Sequence, residues 1–159
     1  MSTFVQQNED TFTDETRISV VEIGGYLFGI EILRSKEVFP IPEITPVPNS
    51  KKHILGVFNL RGEVFPLVDI SPMLGLESKK AQLTDMVVLL DKLENSIGIL
   101  TDRIHGVRAV KNSQIKSARG SVSKIMLEFI SGMVTDKSEE IYILSVDRIL
   151  AALASGIYN

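Results

Sequence analysis

Cysteine is absent from the 159 residues. This excludes disulfides, thiol nucleophiles and cysteine metal sites, and it suits a reducing cytoplasm. Basic charge is also in short supply, since 17 Lys and Arg against 20 Asp and Glu leave a formal net charge of -3. A general binder of nucleic acid or of anionic membranes needs the opposite balance. Histidine occurs twice, and neither His53 nor His105 has a second ligand type at i+2 to i+4, so the spacing offers no metal site. No apolar run reaches the roughly 20 residues of a spanning helix. The opening MSTFVQQNEDTFTDETR lacks the basic and apolar regions of a signal peptide. The expectation is a cytoplasmic protein with no direct membrane insertion.

Motifs of catalysis are missing too. Neither GxSxG nor GxxxxGK[ST] occurs, and the run ARGSVSK (Ala118 to Lys124) lacks phosphate-loop spacing and reads as a surface loop. Asp69, Asp91 and Asp102 stand at predicted strand ends, where turn and capping roles outnumber general-base roles. Nothing here points to an enzyme or a cofactor.

What is present is a core. A hydrophobic fraction of 44% suffices for one compact domain. Residues 1–16 are polar and read as a flexible tail, and 155–159 as a short C-terminal one. From Ile18 onward, short segments rich in Val, Ile, Leu and Phe are broken at close intervals by Gly, Pro, Asn or Asp, which predicts a mainly β sandwich or barrel. IPEITPVP (Ile41 to Pro48) holds three of the six prolines and reads as an extended connector. Two pieces read as helical: SPMLGL (Ser71 to Leu76), and about Asp147 to Ala154, where Val146, Ile149, Leu150 and Leu153 recur at helical spacing.

The chain also repeats itself. FGIEILRSKEV (Phe28 to Val38) lies over IGILTDRIHGV (Ile97 to Val107) at an offset of 69, aligning Gly29 with Gly98, Arg34 with Arg103, and Val38 with Val107. Val20/Leu89 and Val21/Leu90 keep that offset. ILGVFNLRGEVFPLVDI (Ile54 to Ile70) lies over ISGMVTDKSEEIYILSV (Ile130 to Val146) at an offset of 76, aligning Gly56 with Gly132 and Glu63 with Glu139. Two similar β units are expected, with a sequence boundary near residues 77–84 and room for strands to be exchanged between them. The copies differ at one turn. Asn59, Leu60, Arg61 and Gly62 face Thr135, Asp136, Lys137 and Ser138, an ordinary solvated sequence. A left-handed turn position explains Gly62. Arg61, a rigid fork of donors on an otherwise apolar hairpin, points to recognition of a partner.

GVFNLRGEVFPLVDI resembles the signature of the CheW domain, in which Gly-Val, an Asn-Leu-Arg-Gly turn, a buried Pro and a closing Asp with an aliphatic residue follow in this order. FGIEILRSKEV, IGILTDRIHGV, EFISGMV and EIYILSVDRIL support the resemblance across about Arg17 to Leu153, placing a single CheW-like domain at 17–154. The resemblance implies two SH3-like five-stranded β barrels about a shared apolar core, with short helices including one near the C-terminus. It further implies a stand-alone adaptor that joins the cytoplasmic tip of chemoreceptors to the histidine kinase CheA and performs no chemical step.

By position, the resemblance pairs Arg61 with Glu37 on a receptor-binding surface. It lines the adjoining groove with Val38, Met86, Val87 and Ile99, and has Gly98 allow close backbone approach. Asn59 and Gly62 shape the turn, while Gly56 and Val57 match positions involved in assembly with CheA. Ser35 and Phe58 depart from the family pattern, and each is a place where the partner can be retuned. Two other roles stay open: an adaptor of a surface-motility or pilus pathway, and a small ligand-binding or catalytic β barrel.

Overall fold

The computed structural model describes residues 14–91 and 96–155. Ten strands dominate: β1 (Glu15–Ile23), β2 (Tyr26–Glu31), β3 (Ser35–Pro40), β4 (Ile54–Leu60), β5 (Glu63–Val68), β6 (Met86–Leu90), β7 (Ile97–Thr101), β8 (Arg103–Lys111), β9 (Ile130–Asp136) and β10 (Glu139–Leu144). Two α-helices accompany them, α1 (Lys124–Leu127) and α2 (Val146–Ser155), with single 3-10 turns at Ile32–Arg34, Pro72–Leu74 and Asn112–Gln114.

The strands form two five-stranded sheets, in the orders β8-β1-β2-β10-β9 and β3-β6-β7-β5-β4. Advancing each strand of the second sheet by five places, and counting round from β10 to β1, reproduces the first. The pairings agree as well. β2 with β10 and β7 with β5 are the two parallel pairs, and the remaining neighbours run antiparallel in both sheets. The repeat in the sequence is therefore a repeat of topology, with the first two strands of each copy paired to the last three of the other. The expected boundary at 77–84 does not divide the molecule in space. β3 to β7 form one barrel from a continuous stretch, while β1 and β2 join β8 to β10 in the other.

Both connectors that follow a third strand do the same work. Thr45 bridges to Val57 of β4, and Lys116 bridges to Met133 of β9, each through a pair of backbone hydrogen bonds of 2.8 and 2.9 Å. These bridges cover the outer edge of each sheet, where unpaired backbone groups would otherwise be exposed. The connector can pass so close only because the strand carries glycine there. A Cβ on Gly56 would stand 2.5 Å from the Thr45 carbonyl oxygen, and one on Gly132 would stand 2.7 Å from Ile115 Cγ2. The proline-rich stretch of Ile41 to Pro48 is thus the first connector, extended as expected.

Each barrel has its own apolar interior, and a third core lies between them. Phe58, Leu67, Val87, Leu89 and Leu100 fill one barrel; Ile18, Val20, Val110, Val134 and Ile141 fill the other. Val21, Ile23, Phe28 and Ile30 meet Val68, Ile70, Val88, Leu90 and Ile99 in the shared core, which Val146, Ile149 and Leu150 of α2 cap. Alternation along each strand produces this division: Val20 and Val21 are neighbours, but one faces a barrel interior and the other the core between barrels.

Several sequence expectations change. Glu15 and Thr16, read as tail, pair with Lys111 and Val110 in β1. SPMLGL forms a 3-10 turn at Pro72–Leu74, closed by Gly75 in the left-handed region. ARGSVSK is not wholly loop, since the Ser123 side chain accepts from the Met126 N–H and caps α1, which buries Met126.

Candidate functional site

The hairpin between β4 and β5 closes through Arg61 and Gly62, both with positive φ (51° and 86°). That is the pairing of a tight hairpin turn whose twist suits the flanking strands. Asn59 Oδ1 accepts from the Gly62 N–H at 3.0 Å, giving the turn a second tie. The matching hairpin between β9 and β10 uses Lys137 and Ser138, also at positive φ (51° and 67°), so a turn of this kind is closed there without glycine, while the larger φ of 86° at the second position favours Gly62.

Arg61 reaches from the turn to Glu37 of β3 in a two-pronged ion pair. Its Nη1 donates to Glu37 Oε2 at 3.0 Å, and its Nη2 donates to Oε1. β3 and β4 are not neighbours; they lie at opposite edges of one sheet. Closure of the sheet into a barrel, rather than strand pairing, brings the two residues together. The hydrogen bonds from Arg61 hold the Glu37 carboxyl below the ordinary carboxylate range. The Arg61 side chain is 72% exposed and Glu37 28%, so the guanidinium is fixed in direction while its outer face meets solvent.

The other expected site residues separate into two groups. Val38 is exposed on β3 and Met86 half-buried on β6, and both strands adjoin in the sheet that carries Glu37. Val87, Gly98 and Ile99 do not belong to a surface groove. Val87 is fully buried inside the barrel and Ile99 in the core between barrels. Gly98 faces inward, where a Cβ would lie 2.8 Å from the Phe58 ring and 2.9 Å from Val87 Cγ1. Its close approach is to Phe58, not to a partner. Phe58, the larger residue that departs from the family pattern, is itself buried, so it acts on packing. Gly56 also has an internal reason to be glycine, while Val57 is half-buried with its backbone held by Thr45.

Sequence reading missed two charged groups. In the other barrel, Arg108 of β8 donates to Asp136 at 3.3 Å and to Glu139 at 3.1 Å, tying the β9–β10 hairpin to β8. This is the Arg61–Glu37 arrangement with its charges reversed. The offset of 69 that aligns β3 with β8 directs attention to this strand, but it aligns Glu37 with Gly106, so no matching residue marks the pair. The second group is Lys79, whose Nζ lies 2.9 Å from Asp85 and 2.5 Å from Asp102. Its backbone N–H donates to Asp69, and Asp102 in turn accepts from the Gly24 N–H in the β1–β2 turn. Burial works against the ammonium, yet hydrogen bonds to Asp102 and Asp85 outweigh it and hold the Lys79 pKa above its ordinary value. Asp69 also accepts from the Ser71 N–H, the turn role expected of it.

The fold and the sequence have counterparts among known proteins. A scaffolding protein, TtCheW, from Thermoanaerobacter tengcongensis superposes with a TM-score of 0.72 at 24% identity, over 82% of this chain and 84% of that one. Chemotaxis protein CheW of Treponema pallidum is 24% identical over 143 residues, covering 87% of this chain and 84% of the relative. Chemotaxis protein CheW of Thermotoga maritima is 27% identical over 136 residues, covering 86% and 88%. The family model of the CheW-like domain matches residues 17–154, and on that match the chain belongs to the CheW-like domain family.

Proposed function

We propose that the protein is a non-enzymatic adaptor of bacterial chemotaxis that couples chemoreceptors, the methyl-accepting chemotaxis proteins, to the histidine kinase CheA. The observation that supports this reading best is the Arg61–Glu37 pair, an oriented and solvent-facing guanidinium beside Val38 and Met86. An amphipathic receptor helix can lay its apolar stripe on Val38 and Met86 and place an acceptor against Arg61. Arg61, Glu37, Val38 and Met86 form the direct contact. Val87, Gly98 and Ile99 support it from inside, by holding β6 and β7 in place.

For the kinase, Val57 on β4 is the better candidate of the two positions, since the Thr45 connector already accounts for Gly56. The two barrels share one core, so a receptor held on one face and a kinase on another are coupled through packed side chains. Recruitment to membrane receptor arrays then follows through partners, and no helix among the described residues is long and apolar enough to cross a membrane.

The test is a capture assay with purified parent and Arg61→Ala, using receptor tips and CheA separately. The variant is expected to melt with the parent, because exposed ion pairs add little to folding. It should lose receptor capture and keep kinase capture. Unchanged receptor capture by a folded Arg61→Ala variant would return the arginine to a turn-closing role.

A further inference from the structure

A cleft of about 400 Å³ opens on the barrel that does not carry Arg61, lined in part by Glu22, Tyr26, His105, Glu139, Glu140 and Tyr142. Two aromatic rings form its corner. The Tyr26 and Tyr142 centroids lie 6.1 Å apart with their planes inclined at 57°, and Phe28 supports both rings from behind, at 6.1 and 6.4 Å. Tyr26 remains 39% exposed despite these contacts.

Carboxylates surround the corner. Glu140 accepts the Tyr142 hydroxyl at 2.9 Å through Oε2, Glu22 lies 3.1 Å from His105 Nε2, and Glu139 accepts from Arg108 at 3.1 Å. Three carboxylates, Glu22, Glu139 and Glu140, thus stand beside the exposed Tyr26 ring and the largely buried Tyr142 ring, and the Arg108 guanidinium that engages Glu139 is shared with Asp136. Burial, with the hydrogen bond to Glu140 adding to it, pushes the Tyr142 phenol up to about 12, and the hydroxyl is a donor that orients Glu140.

The fold does not demand this arrangement. At the offset of 76, Tyr142 and Glu140 correspond to Pro66 and Val64 of the other hairpin, which has the same strand order and register. A tyrosine and a carboxylate have replaced a proline and a valine in only one of two equivalent frames. Negative charge and aromatic faces in one concavity are the chemistry that holds an organic cation, since the ring quadrupole attracts a weakly hydrated positive group and the carboxylate supplies its hydrogen-bond acceptor.

We propose that this cleft binds a single organic cation, the ammonium or guanidinium head of a lysine or arginine side chain or of a free amine. Tyr26 and Tyr142 supply the aromatic walls, and Glu140 is the anchoring acceptor. Glu22 and Glu139 contribute field rather than direct bonds, being engaged by His105 and Arg108.

The full-length protein, labelled with 15N, is titrated with Nα-acetyl-arginine amide, Nα-acetyl-lysine amide and tetramethylammonium chloride, against sodium chloride at equal ionic strength. Amide shifts are expected at Tyr26, Leu27, Glu140 and Tyr142 for the organic cations and not for sodium. Stronger binding of the capped amino acids than of tetramethylammonium, which has no N–H to give Glu140, is the expected result; the reverse order would remove Glu140 as the anchoring acceptor and overturn the proposal. Tyr26→Leu keeps an apolar side chain at a partly exposed position without the π face, and Glu140→Gln keeps an acceptor for the Tyr142 hydroxyl without the charge. Each should weaken binding at least about threefold. The proposal is overturned if sodium chloride reproduces the shifts, if the shifts fall elsewhere, or if both variants bind as the parent does.

Discussion

Removing the Lys79 charge tests how the two barrels are joined. In Lys79→Met the stem keeps its apolar contacts, but Asp85 and Asp102 lose the ammonium between them. The Lys79 and Asp85 side chains are 10% and 4% exposed, and Asp102 is 30% exposed. Deleting one partner of a fully buried pair costs about 3–5 kcal/mol, because the other charge stays behind unneutralised. Asp102 can regain water, and Asp85 keeps the Gln82 N–H at 2.7 Å, so the cost falls to about 2–3 kcal/mol. For a domain of this size that is a drop in Tm of about 4–12 °C.

Urea unfolding followed by circular dichroism should show a lower midpoint at unchanged slope. Lys79→Met combined with Asp85→Asn should recover part of the loss, since a buried amide is cheaper than a buried carboxylate without its counter-charge. The pH dependence has a definite sign. The folded pKa of Lys79 is raised, so its contribution is fully present below the ordinary value of 10.5 and is lost as pH rises through the raised one. Parent and variant stabilities should therefore converge at strongly alkaline pH. A Lys79→Met variant within about 0.5 kcal/mol of the parent at neutral pH, or a double variant no better than the single, would refute the reasoning.

Carbon-detected titration of the glutamates should place Glu37 below 4.5 in the parent and return it toward 4.5 in Arg61→Ala; the pairing is present above that pH and fades as pH falls through the lowered value. Ultraviolet titration of tyrosinate should contain a component near 12 from Tyr142 that Tyr142→Phe removes, and Glu140→Gln should shift it down. Gly56→Ala should destabilise by about 2 kcal/mol or more, because its φ of 152° is poor for a side chain and the obstacle at 2.5 Å is backbone; a Gly132→Ala variant, whose nearest obstacle at 2.7 Å is the Cγ2 of Ile115, should lose less. Chemical denaturation of the two glycine variants checks the order.

Part of the candidate site is legible in the sequence because its signals are local or repeated. The Asn-Leu-Arg-Gly turn stood out against its counterpart at 135–138, and Arg61 and Glu37 do meet. Val87, Ile99 and Gly98 lie inside, not along a groove, because alternation tells that neighbouring residues face opposite ways, not which side is open. In a strand between two barrels both sides are core, as Val87 and Val88 demonstrate. Arg108 and Lys79 gave no local sign, since their partners lie 28 and 31, and 6 and 23, positions away (136 − 108 and 139 − 108; 85 − 79 and 102 − 79).

From the sequence alone came the mainly β class, the connector at Ile41 to Pro48, the C-terminal helix and the twofold repeat, because strand period, proline geometry and apolar spacing act over a few residues. Only the tertiary structure decided which copy each strand would join. A β1-like strand can pair equally well by its own pattern with β3 or with β8, and the choice rests on how two barrels bury a common core. Barrel closure carries Glu37 from one edge of a sheet to Arg61 at the other, while the parallel pairing of β2 with β10, distant in sequence, puts Tyr26 beside Tyr142. The first meeting depends on the curvature of a whole sheet and the second on which distant strands pair, and no short stretch of chain contains either.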